Sequence, residues 1–322
     1  MLKGIDKTST LVDQTALIER IADLNCTPGW IPRQQPLMWP EPRPELLPAH
    51  WSYAAIKPDL LAAGRLIGTD QAERRNFVLR NPVPGNDYAT TRTLVGAYQS
   101  MLPGERARSH RHSSHALRVI LESQGCYSIV NGKRHPMESG DIVLTPGGHW
   151  HGHGHEGGEQ AYWFDCLDLP LVRLLEPMTA QEHPLGWERE VMTETRSPLR
   201  LTWASTLQLL EACSSDSSEY FGTAVDLSSP LMPTISIRVH RWARDWSNRP
   251  YRHFANTIYV VLRGAGRSEI GQAIFNWSFG DVIAAPMGAR IHHQADAETV
   301  MVALSDESLM RFCGYYDFHQ CD

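Results

Sequence analysis

The sequence predicts a mainly β protein of the sandwich-or-barrel class, built from two copies of one strand unit behind a helical and Pro-rich N-terminal arm. Three observations carry this reading. From Arg75 onward, short strand-forming runs such as TLVGAYQSML, DIVLTPGG and AYWFDCLDLP alternate with Gly, Pro and Asn turns. The stretch His115–Trp150 (HALRVILESQGCYSIVNGKRHPMESGDIVLTPGGHW) shares its pattern with Asn256–Arg290 (NTIYVVLRGAGRSEIGQAIFNWSFGDVIAAPMGAR): strand, Gly turn, strand, Gly-Asp, strand, Pro-x-Gly. The length of 322 residues, with 42% hydrophobic and 20% charged composition, suffices for the cores of two medium domains.

Taken in order, Leu11–Asn25 (LVDQTALIERIADLN) places apolar residues at helical spacing and predicts an N-terminal helix. From Thr27 to about His50 the density of proline excludes a helix, yet the tryptophans need burial. This segment reads as an ordered arm lying over another part of the chain or over a neighbouring subunit; the alternative is a loosely attached linker. The expected division is an arm over 1–72, a first barrel over 73–180, a helical and loop connection over 181–229 and a second barrel over 230–322. The connection contains an expected helix within Glu182–Cys213 and the polar loop SSDSSEY.

Composition excludes several function classes. A formal net charge of -6 gives no reason to expect nucleic acid or a membrane surface as partner. The start MLKGIDKTST lacks the apolar run of a signal peptide, and no stretch approaches the ~18 apolar residues of a membrane span. The six cysteines are scattered and contain no CxxC pair, which fits a reducing compartment, the cytoplasm.

The histidines carry the chemistry. His110 and His112 are two apart, so on a strand both imidazoles face one side. Downstream, Gly140, Pro146 and Gly148 turn the chain so that His151 can reach the same place from a neighbouring strand. Three neutral imidazoles with open positions suit Fe, Mn, Zn, Ni or Cu and leave room for a substrate and O₂. A lone histidine is ordinarily a satisfied polar residue, and HGHGHEGG alone would pass for a surface loop. The conjunction of His-x-His with a third histidine at the second spacing sets this case apart.

Gly104-x5-His110-x-His112 and Gly140-x5-Pro146-x-Gly148-x2-His151 match the two cupin motifs. Together with AERRNFVLRNP, HRHSSHALRVILE, GDIVLTPGGHWHGHG and WFDCLDLP, in that order, they make the chain resemble the gentisate, salicylate and 1-hydroxy-2-naphthoate 1,2-dioxygenases from about Trp30 to the C-terminus. The resemblance implies a bicupin, two antiparallel jelly-roll β-barrels. It implies an Fe(II)-dependent, extradiol-type dioxygenase acting on a hydroxybenzoate (gentisate, salicylate or a substituted salicylate) and O₂. The ring would open between the carboxyl-bearing and hydroxyl-bearing carbons, and the enzyme would be a homotetramer.

Carried over residue by residue, the resemblance makes His110, His112 and His151 the iron ligands. Arg74 and Arg118 would bind the substrate carboxylate, for which a guanidinium offers paired hydrogen bonds. Arg118 lies six residues after His112, so an unbroken strand puts it on the same face. His153 would meet the substrate hydroxyl and relay protons, while Gln99 and Asp165 would contact or support the substrate. For each arginine the plainer alternative is a surface ion pair. The carboxylate ligand of germin-like cupins is missing, since Ala116 and Leu117 stand at its positions.

Two further departures touch the pocket: Val95 stands where family members commonly have Trp, and Asn76 replaces a small apolar residue. Both imply an altered substrate, with a ring substituent filling the space and meeting the amide. In the second copy, Tyr251-Arg252-His253 replaces His-x-His and Ile291 takes the third position, with His292 one step along, so this half reads as structural. The rival functions are a metal-dependent cupin isomerase or decarboxylase, which the missing Glu argues against, and a non-catalytic metal-binding bicupin.

Overall fold

Runs of β-branched and aromatic residues form the interior strands. Ala116–Glu122 (ALRVILE) and its counterpart Thr257–Arg263 (TIYVVLR) each bury six of their seven residues, and each lies inside a six-stranded sheet. The structure, a computed structural model, describes residues 14–32, 37–69, 71–72, 75–189, 192–193, 196–213 and 217–322. Two units are distinguished, 1–43 and 44–322. In the first, the expected helix is described over Gln14–Asp23, and the Arg43 guanidinium lies 5.7 Å from the Trp39 ring centre.

The second unit holds both barrels, a bicupin. In the N-terminal barrel one sheet runs, in spatial order, Arg200–Leu201, Ile142–Thr145, Ala116–Glu122, Ala161–Leu167, Val95–Met101, Arg75–Val78. Its other sheet runs Ala180–Glu182, Arg106–His112, His151–His155, Cys126–Val130, Lys133–Met137, Met192–Thr193. The C-terminal barrel repeats the plan. One sheet orders Ala49–Trp51, Val282–Ala285, Thr257–Arg263, Thr299–Ser305, Ser236–Trp242 and Thr223–Asp226; the other orders Ala273–Ser278, Ala265–Ile270, Ile291–Ala295, Tyr251–His253 and Phe318–Gln320.

Each barrel takes an outer strand from the segment that leads into the other. Ala49–Trp51, inside the stretch expected to be arm, pairs with Val282–Ala285 of the C-terminal barrel. Arg200–Leu201, inside the expected connection, pairs with Ile142–Thr145 of the N-terminal barrel. Both lead straight into helices, Tyr53–Leu66 and Trp203–Ala212.

The repeated Gly-Asp dipeptide explains why. Asp281 accepts a hydrogen bond from the Tyr53 amide at 2.8 Å and meets His50 Nε2 at 3.0 Å. Asp141 accepts from the Trp203 amide at 2.8 Å and pairs with Arg200 at 2.6 Å. The preceding glycines have φ of +83° and +88°, and a Cβ there would stand 2.3 Å from the Tyr53 ring or 2.6 Å from that of Trp203. Each Gly-Asp is therefore both a turn and a socket for an aromatic helix start.

A second exchange ties the barrels together. Thr234 Oγ1 donates to Asp168 at 2.5 Å and Thr93 Oγ1 donates to Asp306 at 2.6 Å, so each buried carboxylate is met from the opposite half. Each also accepts the amide that opens a central strand, His115 at 2.8 Å and Asn256 at 2.7 Å. One apolar cluster runs through both halves, with Leu117, Leu144 and Phe164 from one and Ile237, Ile258 and Val302 from the other. Among the described residues no helix is long and apolar enough to cross a membrane.

Replacing Asp281 by Ala strips the Tyr53 amide, His50 and the Ser278 amide of their shared acceptor. We expect a loss of about 3 kcal/mol in denaturant unfolding, with Asp281→Asn losing clearly less because it keeps an acceptor for Tyr53. Equal stability of Asp281→Ala and the parent protein would contradict the socket.

Candidate active site

The three motif histidines meet because of strand register. His110 and His112 share one strand, and His151 opens the neighbouring one directly opposite His110. Their ring centres lie 4.3 Å (His110–His151), 4.9 Å (His112–His151) and 5.6 Å (His110–His112) apart, and one nitrogen from each falls within 4.8 Å of the others.

Neighbouring carbonyls orient the three rings. His112 Nδ1 lies 2.8 Å from the Ser114 carbonyl, His151 Nδ1 lies 3.0 Å from that of His149, and His110 Nδ1 lies 3.4 Å from that of Arg108. A carbonyl only accepts, so these contacts favour a hydrogen on Nδ1 and a lone pair on Nε2, clearest at His151; at His112 the Ser114 hydroxyl also reaches Nδ1 at 3.0 Å. His151 Nε2 is buried with no protein partner. Burial first, then the charges of Arg118, His110 and His112, hold the His151 pKa well below that of a free imidazole, so it is neutral. Three convergent lone pairs without a carboxylate form a fitting site for a borderline divalent metal with open positions.

A cavity of about 230 Å³ adjoins the triad. Val95, Ala97, Leu167 and Leu169 give it apolar walls, and Gln99, Arg118 and Asp165 give it a polar side. Arg118 is 1% exposed, its Nε 3.5 Å from Asp165 Oδ1 and its Nη1 donating to Thr145 Oγ1 at 2.6 Å. The surface ion pair weighed from sequence is thus a buried one. Asp165 sits opposite both Arg118 and Ala97 in the sheet, and Gln99 Nε2 donates to its other oxygen.

The remaining expected residues differ in placement. Val95 is buried and lines the cavity. Asn76 also lines it but is exposed, so its amide is free to bond water and the expected buried polar group is not there. His153 shares its strand face with His151 and lies 2.8 Å from Ser128 Oγ through Nδ1, beside Trp163, but is not among the lining side chains. Arg74 lies outside the described residues. Its neighbour Arg75 is buried and consumed by structure, pairing with Glu105 and donating to the Ile67 and Gly64 carbonyls.

Sequence reasoning missed Thr145, Tyr88 and Leu169. Thr145 precedes motif Pro146 and could have been found by strand parity, since residue 143 pairs with Arg118 and 145 shares its face. Tyr88 sits on a loop, where parity says nothing.

The C-terminal barrel keeps the geometry and loses the ligands. Tyr251 pairs with Ile291 as His110 pairs with His151. His253 is buried and pushed down to about 4 by that burial, and Tyr259 occupies the third place of the central strand, as Arg118 does. His292 turns to Ser247 at 2.8 Å, away from the interior. A Ser268–His293 contact at 2.7 Å still mirrors Ser128–His153.

The comparisons agree with this geometry. The cupin domain family matches residues 97–167. A 5-aminosalicylate 1,2-dioxygenase of Comamonas sp is 31% identical over 337 aligned residues, covering 94% of this chain and 89% of the relative. A gentisate 1,2-dioxygenase of Ralstonia sp is 39% identical over 223 residues, 62% of either chain. The crystal structure of a salicylate 1,2-dioxygenase from Pseudaminobacter salicylatoxidans superposes with a TM-score of 0.84 at 21% identity, over 96% of this chain and 98% of the other, which fixes the fold. From near full-length similarity and a matching fold, the chain belongs to the gentisate, salicylate and 1-hydroxy-2-naphthoate dioxygenase family of bicupin enzymes, which open aromatic rings with O₂.

Proposed function

We propose that the protein is an Fe(II) dioxygenase that opens the ring of a hydroxybenzoate between its carboxyl-bearing and hydroxyl-bearing carbons. The observation that carries this is one cavity lined by both the three-imidazole set and the buried guanidinium of Arg118. A metal held by His110, His112 and His151 would supply the one-electron chemistry that lets O₂ react with a stable ring, and iron has that chemistry where zinc does not. A salicylate 1,2-dioxygenase variant of the same fold has been solved in complex with gentisate, which supports an aromatic acid as the ligand class.

The chain's own residues then have defined work. A guanidinium carries five donors in a planar fork, enough to hold Asp165 at one edge and receive a carboxylate at another. Asp165 fixes that fork and is itself held by Gln99. Val95, Ala97, Leu167 and Leu169 exclude water from the ring faces. His153, its ring oriented by Ser128, is the neighbouring group suited to exchange a proton with the substrate hydroxyl. Val95 in place of an indole leaves room for a ring substituent.

The test is oxygen uptake by anaerobically Fe(II)-loaded protein with gentisate, salicylate, 5-aminosalicylate, 1-hydroxy-2-naphthoate and halo- or nitro-salicylates. At least one acid should be consumed with O₂, and Val95→Trp should shift preference toward the smaller ones. In His112→Ala we expect near-total loss of iron and of uptake; full iron retention there would refute the ligand assignment.

Arg118→Ala takes the guanidinium away from the buried Asp165 carboxylate, so it should lower stability by ~3–5 kcal/mol as well as weaken binding. Arg118→Lys keeps the charge and loses the fork. It should retain iron while KM rises about ten- to a hundredfold, the cost of ~1.5–3 kcal/mol for a charge-assisted contact. Normal KM in Arg118→Lys would make the residue purely structural.

As an assembly we propose a cytoplasmic homotetramer, in which a neighbouring chain covers tryptophans of the arm. Sedimentation giving only monomer at micromolar concentration would remove this.

A further inference from the structure

A second, larger cavity of about 780 Å³ shares one side chain with the first, Tyr88. The short helix Leu169–Leu174 also serves both: Leu169 lines the inner cavity, while Pro170, Arg173 and Leu174 line the outer one. Tyr88 is half-buried, and the Arg173 guanidinium lies over its ring at 4.7 Å. The backbone around Tyr88 is pinned. Asn86 Nδ2 donates to the Asn81 and Ala89 carbonyls at 2.9 and 2.8 Å, its Oδ1 accepts from the Ala89 amide at 3.0 Å, and Thr90 Oγ1 donates to the Leu79 carbonyl at 2.6 Å. With its backbone held, any movement of Tyr88 is confined to side-chain rotation, which is fast.

The charges of the outer cavity are uneven. Its charged side chains are Glu45, Arg92 and Arg173. Arg92 pairs with Glu45 at 2.9 Å, whereas Arg173 is exposed and has no carboxylate partner among the described residues. A chain of net charge -6 repels an aromatic carboxylate at long range, so an uncompensated local cation has a steering effect to exert. The contact that holds Tyr88 is a cation–π contact, weak at exposed sites and weaker than a carboxylate on the same guanidinium.

We propose that the outer cavity is the entrance vestibule of the catalytic cavity, with Arg173 collecting the carboxylate of an incoming aromatic acid and Tyr88 as the movable partition between the two. The acid replaces Tyr88 as the partner of Arg173, and the freed ring swings aside. This rests on the dioxygenase reading above.

The experiment follows binding of gentisate and salicylate to anaerobic, Fe(II)-loaded protein by stopped flow, at low salt and at roughly 0.5 M salt, where screening is strong. In Arg173→Glu the association rate should fall about three- to tenfold at low salt and converge on the parent rate at high salt, with iron content unchanged. Arg173→Lys should keep most of the rate, and Tyr88→Ala should raise association and dissociation together. An association rate in Arg173→Glu equal to the parent's at low salt overturns the vestibule, as does a loss that salt does not relieve. A parent protein that neither binds nor oxidises any acid overturns the dioxygenase reading and this inference together. A parent that does both while Arg173→Glu is unaffected overturns this inference alone.

Discussion

The structure depends on two carboxylates set behind glycines that no other residue could replace. Asp141 and Asp281 each hold the first amide of a helix from another part of the chain, and the glycine before each leaves room for an aromatic ring. A side chain at either glycine would push that ring away, and the lead strand before the helix would lose its anchor. Because each lead strand belongs to the segment entering the other barrel, neither barrel completes its sheet alone. This interlock, with the crossed Thr93–Asp306 and Thr234–Asp168 bonds, makes one packed body of two repeats.

The interlock matters to the site because it bounds the sheet that carries Arg118 and Asp165. Arg200–Leu201 lies against Ile142–Thr145, which lies against the strand of Arg118. Thr145 from the middle strand then fixes one guanidinium nitrogen and Asp165 fixes another. The triad is held differently, by carbonyls two residues away on its own strands or loops, so its rings are oriented locally. A ligand set of three neutral imidazoles leaves a divalent metal's charge unmet by protein. The Arg118–Asp165 pair is close to neutral, so the pair itself adds little net charge to the cavity.

The two halves show what duplication keeps and what it gives up. The Gly-Asp sockets, the strand order and the Ser–His contact persist in both. Ligand positions do not: Ile291 stands opposite Tyr251, and an apolar side chain there packs the interior that an imidazole leaves open. Packing constraints act on both copies alike, whereas among the described residues the three-histidine set is found in one.

The sequence by itself determined the β class, the duplication, the triad and the erosion of the second copy, because each rests on spacing along one strand or on a repeated motif. Period-two alternation aligns His110 with His112, but the unbroken strand expected from His112 to Arg118 is not there: Arg118 reaches the same cavity from a separate strand, Ala116–Glu122, in the other sheet. What it left open depends on which strands meet. The exchange of lead strands was invisible, since proline-rich and loop-like stretches around Ala49–Trp51 and Arg200–Leu201 become strands only against a partner remote in sequence. The buried state of Arg118 and the exposed state of Asn76 were likewise decided by neighbours, as was the sharing of Tyr88 between two cavities. Local spacing fixes which way a side chain points; only the tertiary structure decides what stands in front of it.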